Sequence, residues 1–195
     1  MDRRSTCLGL LALPLTFRSV RAAEASGDQE VLALLRRGGV VLALRHARAP
    51  GTYDPPNFRL GDCSTQRNLN EEGRSQARRL GEHLRARQLR PSRVRTSPWC
   101  RCVDTAELAF GSAEPWAALG SPVIGTEATN AASLAQLQQA LAEAAQRPGQ
   151  FEVWVTHMFV LGALADGNVS SGEGLVLAPG ERGQTKVLGR LTVAG

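Results

Sequence analysis

At 195 residues, 43% hydrophobic and 21% charged, the chain can build one ordinary domain with a sizeable core but not two. No low-complexity tract or run of like charge interrupts its apolar segments, which excludes a disordered chain. The formal net charge of +5 comes from 23 Lys and Arg against 18 Asp and Glu, and an excess so scattered is not a nucleic-acid footprint.

The longest apolar stretch, Leu8 to Leu15 behind Cys7, falls well short of the roughly 20 residues that cross a bilayer as a helix, so no stable membrane insertion is expected. With Arg3 and Arg4 ahead and Ser19-Val20-Arg21-Ala22-Ala23 behind, it reads as a secretory signal cleaved after Ala22 or Ala23. Residues 1–22 are then the signal peptide, residues 23–195 the working domain, and the location periplasmic or secreted. Cys7 precedes the apolar stretch instead of ending it, which argues for a soluble exported protein over a lipid-anchored one. Processing removes Arg3, Arg4, Arg18, Arg21 and Asp2, a net +3, and leaves +5 − 3 = +2. Three cysteines remain, Cys63, Cys100 and Cys102. An oxidising compartment allows one disulfide, from Cys63 to either Cys100 or Cys102, because those two are awkwardly placed to pair with each other. A zinc site would lack a nearby fourth ligand.

Val40-Val41-Leu42-Ala43-Leu44, following Gly38-Gly39, is the near-continuous apolar run of a strand buried on both faces. It ends at Arg45-His46. From Ala47 to Asn70 the chain turns polar and rich in Gly, Pro and Asp, a long loop of the kind that carries function. Asn70 is placed to cap a helix from Glu71 to about Arg87, whose Ala77, Leu80 and Leu84 keep helical spacing. Arg93 to Thr96 reads as a short strand, and Ser97-Pro98 opens a helix through to Phe110. A helix over about Ser133–Gln146 precedes the strand Phe151–Thr156, which His157 follows directly. Leu175–Leu177 and Lys186–Val193 read as closing strands at the sheet edge. Strands alternating with helices predict an α/β fold with a mainly parallel sheet and right-handed crossovers.

Of three histidines, His46 and His157 each stand immediately after a buried-type strand. Ligands of open α/β sheets bind at the carboxyl ends of the strands, so the architecture brings both imidazoles to one rim. His83, on the polar face of a helix, reads as a surface residue. Arg45 delivers a guanidinium fork beside His46, and Arg101 adds another at the start of a helix, where free N–H groups and the helix dipole favour an anion. Neutral imidazole near its ordinary pKa attacks phosphorus while arginines neutralise the phosphoryl oxygens.

Leu44-Arg45-His46-Ala47, Asn70-Glu71-Glu72-Gly73-Arg74-Ser75-Gln76-Ala77, Thr96-Ser97-Pro98-Trp99-Cys100-Arg101-Cys102-Val103-Asp104-Thr105-Ala106 and Val155-Thr156-His157 resemble, in order and spacing, the histidine phosphatase superfamily, whose fold is that of phosphoglycerate mutase. The resemblance spans about Val31 to Leu177. It implies a single-domain three-layer αβα sandwich and a phosphohistidine mechanism, with no cofactor and no metal. His46 matches the nucleophile, Arg45 and Arg101 the phosphate-binding arginines, and His157 the second histidine of the pocket. Asn68 falls near a phosphate-contacting asparagine of some members. Glu127 is best placed by order for the general acid, with Glu114 the runner-up and Glu173 assigned a structural role. Ala47 replaces the family's usual glycine after the nucleophile, which predicts a slightly different turn.

The function implied is metal-independent hydrolysis of a small-molecule or envelope phosphomonoester. The alternatives are an exported phosphate-binding or anion-binding protein without turnover, and metal-dependent hydrolysis through His46 and His157. The latter lacks an accompanying carboxylate–histidine pair at metal-ligand spacing.

Overall fold

A computed structural model describes residues 18–120, 127–165 and 168–193, with side chains over 28–120, 131–165 and 168–193. Six strands form one sheet: β1 (Val40–Arg45), β2 (Arg93–Thr96), β3 (Glu114–Pro115), β4 (Phe151–Thr156), β5 (Gly174–Pro179) and β6 (Thr185–Leu191), in the order β3-β2-β4-β1-β5-β6. β1, β2, β3 and β4 run parallel, while β5 lies antiparallel to β1 and β6 antiparallel to β5. The helices are α1 (Arg18–Arg37), α2 (Glu71–Arg85), α3 (Cys100–Phe110), α4 (Glu127–Ala145) and α5 (Met158–Ala165). None of the described helices is long and apolar enough to cross a membrane.

The expected three-layer αβα domain is what the chain forms. Side chains of a strand alternate between faces, and β1 shows it: Val40, Leu42 and Leu44 join α1, α2 and α3 in one core, while Val41 and Ala43 join α4 and α5 in the other. Both central strands are shielded on both faces, β4 throughout and β1 as far as Leu44. This explains why each reads as an almost unbroken apolar run.

Elements agree closely with the expectations at β1, β2, α2 and β4. Three features differ. β5 pairs with both β1 and β6, so of these two closing strands β6 alone lies at the sheet edge. α4 starts six residues before Ser133, at Glu127. α1, α5 and the two-residue β3 were not anticipated, the last two because they are too short to show a period. The predicted cleavage position falls within α1, and residues 1–17 of the predicted signal lie outside those described.

Two glycines set how the helices approach the rim. A Cβ on Gly81 would stand 2.0 Å from the Ala109 carbonyl oxygen, so α2 and α3 touch backbone to backbone there. A Cβ on Gly73 would stand 2.0 Å from the Arg48 carbonyl, so the first turn of α2 lies against the chain just past His46. The Asn70 side chain caps that turn, accepting from the Gly73 N–H at 2.9 Å.

Candidate active site

Parallel pairing puts the carboxyl ends of β1, β2 and β4 side by side. The His46 N–H donates to the Thr156 carbonyl at 2.9 Å and the Ser97 N–H to the Val155 carbonyl at 2.8 Å, so His46, Ser97 and His157 emerge together. The two imidazole rings lie 5.4 Å apart, edge to face. Both are buried, at 2% and 3% exposure, in a site that sequence order alone leaves open.

The hydrogen bonds decide the tautomers. His46 Nδ1 lies 2.8 Å from the Ala47 carbonyl, which can only accept, so the proton sits on Nδ1 and the lone pair on Nε2. His157 Nδ1 receives an N–H of Arg101 at 3.4 Å, which leaves its proton on Nε2 for Ser97 Oγ at 2.8 Å. Burial above all lowers the His46 pKa to about 3; the hydrogen bond to the Ala47 carbonyl opposes it, and the nearby Arg101, Arg67 and Arg45 each lower it further. Burial first, and then the charges of Arg101, His46, Arg67 and Arg45, hold His157 well below its ordinary range. Both rings are therefore neutral at moderate pH. Ala47 causes no strain: among the described residues the non-glycine residues with positive φ are Gln88 and Arg182, and the Ala47 N–H donates to Thr105 Oγ1 at 3.0 Å.

Three guanidiniums surround the pair. Arg45 donates from Nη1 to the Val169 carbonyl at 2.9 Å, and Arg67 from Nη1 to the Ala49 carbonyl. Arg101, 4% exposed, donates from Nη1 to both carboxylate oxygens of Asp54, at 2.9 and 3.2 Å. Seven buried side-chain polar atoms lack a partner among the described residues, and three of them are the Nε atoms of Arg45, Arg67 and Arg101. A buried donor left unpaired costs about 1–3 kcal/mol. Three such donors around two neutral imidazoles form a pocket for an oxyanion.

The helix dipole contributes less than expected, because the first N–H of α3, that of Cys100, is taken by Gln66 Oε1 at 3.0 Å. Arg101 acts through its side chain. The disulfide is Cys63–Cys100, with Cα atoms 5.7 Å apart, and it ties the long loop to the first turn of α3. Cys102 is the remaining thiol, buried beside His157, and burial pushes its pKa up to about 12.

The other predicted residues fall differently. The Asn68 amide donates to the Cys63 carbonyl at 2.7 Å; the residue of that stretch whose charge acts on both histidines is its neighbour Arg67. Nothing in the sequence distinguishes Arg67 from the other loop arginines, Arg48 and Arg59, except that it lies in a segment already marked as functional. Glu114 is exposed and paired with Arg93 through two hydrogen bonds, which hold its carboxyl below the usual range. Glu173 stays structural, bonding the Ser170 N–H, Arg190 and Thr192. Glu127 opens α4, and its side chain lies outside those described. His83 is half-buried on α2, with Arg87 and Asp28 as its charged neighbours. Among the described residues no three His, Cys, Asp or Glu side chains cluster to hold a metal ion.

Capture of an anion at the carboxyl ends of a parallel sheet, against a neutral imidazole, is the class of site this geometry defines. The family model of the histidine phosphatase superfamily (branch 1) matches residues 41–154, over half of the chain, and the chain belongs to that superfamily. His157 stands three residues past the matched segment. The fold is similar to that of the protein histidine phosphatase SixA complexed with tungstate, at 18% identity and a TM-score of 0.53 over 78% of this chain and 96% of that one. It is similar to the α-ribazole phosphatase from Shigella flexneri, at 15% identity and a TM-score of 0.56 over 76% and 94% of the two chains. A third likeness is to phosphoserine phosphatase from Entamoeba histolytica in complex with 3-phosphoglyceric acid, at 12% identity and a TM-score of 0.55 over 79% and 97%. No curated protein matches the chain by sequence.

Proposed function

We propose that the chain is a histidine acid-type phosphatase that hydrolyses phosphomonoesters through a phosphohistidine on His46, without a metal ion. The observation that carries this reading is the pinned tautomer: with Nδ1–H held by the Ala47 carbonyl, the Nε2 lone pair of a buried, neutral imidazole is free to attack. Arg45, Arg67 and Arg101 neutralise the phosphoryl oxygens as the Nε2–P bond forms and the P–O bond to the leaving group breaks. Glu127 is the proposed donor of the proton that the leaving oxygen takes up, Asn68 a proposed further contact to the phosphate, and His157 the neutral partner that steadies Arg101. Water then attacks phosphorus and gives a proton to the Glu127 carboxylate as the P–N bond breaks, which releases inorganic phosphate and restores both neutral His46 and the protonated acid.

The substrate is a small-molecule or envelope phosphomonoester, met in the periplasm or outside the cell after residues 1–22 are removed. The signal-like pattern of residues 1–22 supports that location, and a disulfide suits an oxidising compartment. The test is a panel of phosphomonoesters with EDTA present, using wild type and His46→Ala. Turnover should survive EDTA, an acid-labile phosphoryl group should map to His46, and His46→Ala should lose nearly all activity while keeping its fold. Activity of His46→Ala within about tenfold of wild type, a loss of only ~1.4 kcal/mol of barrier stabilisation, would overturn the covalent mechanism. Phosphate binding without turnover would point instead to the anion-binding alternative.

A further inference from the structure

Asp54, in the long loop between β1 and α2, is the one described carboxylate that touches the arginine pocket, and the reaction as read above gives it no part. Its side chain is 17% exposed. Four donor contacts converge on it. Oδ1 accepts from the Arg67 backbone N–H at 2.9 Å and from Arg101 Nη1 at 2.9 Å, and Oδ2 accepts from Trp99 Nε1 at 3.2 Å and from Arg101 Nη1 at 3.2 Å. Every one of those donors belongs to a residue beside the phosphate pocket: Arg67 and Arg101 are two of its guanidiniums, and the Trp99 ring packs edge-on against His157 at 5.3 Å.

We propose that Asp54 is a positioning residue for phosphate binding: its carboxylate takes the Nη1 corner of Arg101 and so commits the Nε–Nη2 edge of that guanidinium to the phosphoryl group. That edge is the fork that grips two phosphate oxygens at once. Its Nε is buried and unpartnered, and its Nη2 reaches no farther than a 3.4 Å contact with His157 Nδ1. An arginine side chain has several torsions to freeze, and one held in place beforehand loses less freedom when the ligand arrives. The same carboxylate leaves three guanidiniums less one carboxylate, a net +2, which matches a phosphomonoester dianion. Asp54 is not placed as a proton donor in this arrangement, since both of its oxygens already accept hydrogen bonds from protein donors.

The inference rests on the phosphatase reading, and the experiment separates the two. Wild type, Asp54→Asn and Asp54→Glu are compared for inorganic phosphate affinity by calorimetry, and for kcat and KM on p-nitrophenyl phosphate and on an alkyl phosphate. Asp54→Asn keeps the shape and loses the charge. Its phosphate Kd and its KM should rise roughly tenfold or more, by the same factor on both substrates, with kcat falling less. Asp54→Glu, which keeps the charge one methylene away, should recover part of that loss, a rescue that a purely structural role would not produce. If Asp54→Asn does not fold, Asp54→Glu alone still decides: its phosphate affinity should lie measurably below that of wild type. Unchanged phosphate affinity in the variants would overturn the proposal and leave the phosphatase reading standing. Tighter phosphate binding in Asp54→Asn would show the carboxylate to be an internal competitor and overturn it as well. A loss confined to the alkyl phosphate would make Asp54 the proton donor and overturn it too. A wild type that neither binds phosphate nor turns over would sink both readings together.

Discussion

His46 shows how a single residue acquires its chemistry from its neighbours. An exposed histidine titrates near pH 6.5, half-charged at the pH where a nucleophile is wanted; burial, then three arginines, take this one to about 3. Its place after a buried strand was legible in the sequence, as was Arg45 beside it. The proton on Nδ1 was not, because it depends on the carbonyl of the next residue turning back to meet the ring. The proton donor is where residue-scale prediction has most to decide. A sugar phosphate needs its leaving oxygen protonated as the P–O bond breaks, whereas p-nitrophenolate leaves unaided. Glu127→Gln is therefore expected to cost roughly 10²-fold or more on an alkyl phosphate and much less on p-nitrophenyl phosphate. Glu114→Gln should do neither, its carboxylate being committed to Arg93. Equal, small losses for Glu127→Gln on both substrates would place the donor elsewhere.

At the scale of elements, the site is made where one loop is fastened to one helix turn. The loop from Ala47 to Asn70 meets the start of α3 through the Cys63–Cys100 bond, the Gln66 contact to the Cys100 N–H, and Asp54 on Trp99 and Arg101. Because the loop also carries Arg67, loosening it should disturb binding as well as stability. Closing a loop with a sequence separation of 37 stabilises by up to about 4 kcal/mol in the chain-entropy account. Cys63→Ser should lower Tm by roughly 5–10 °C and raise KM, read by calorimetry and steady-state kinetics on the unreduced protein. A variant with unaltered Tm and KM would show that the other two fastenings suffice. The sequence narrowed the pairing to two candidates. Which cysteine bonds was decided by α3, which turns Cys100 toward the loop and buries Cys102 against the sheet.

For the whole molecule, two neutral buried histidines link stability to pH. Both have folded-state pKa values depressed below the ordinary 6.5, His46 to about 3. The unfolded chain therefore binds more protons than the native one as pH falls below 6.5. The stability associated with these residues is fully present above about pH 6.5 and is lost progressively toward pH 3. For His46 alone the loss approaches about 1.4 kcal/mol per pH unit in that window. Denaturant unfolding at pH 7, 5.5 and 4.5 should show wild type weakening steadily, and His46→Gln weakening less, since one of the two groups that must take up a proton is gone. Parallel losses in both proteins would show that His46 is not the group responsible.

The sequence by itself determined the layered α/β architecture, because buried parallel strands must be apolar on both faces and helices must show a period of about 3.6. It also determined that His46, Arg45, Arg101 and His157 belong near one rim, since each follows or opens an element that ends there. Only the tertiary structure decided that Glu152, a charged break in an apolar strand, is buried at 1% exposure and paired with Arg147 at 2.6 Å. It likewise brought Arg67 and Asp54 into the pocket from a loop with no period to read. Local pattern reports which face a side chain takes on a regular element. The partners of a loop residue are set by chain closure across the fold, here over the sequence separation of 47 from Asp54 to Arg101, and no local pattern spans that distance.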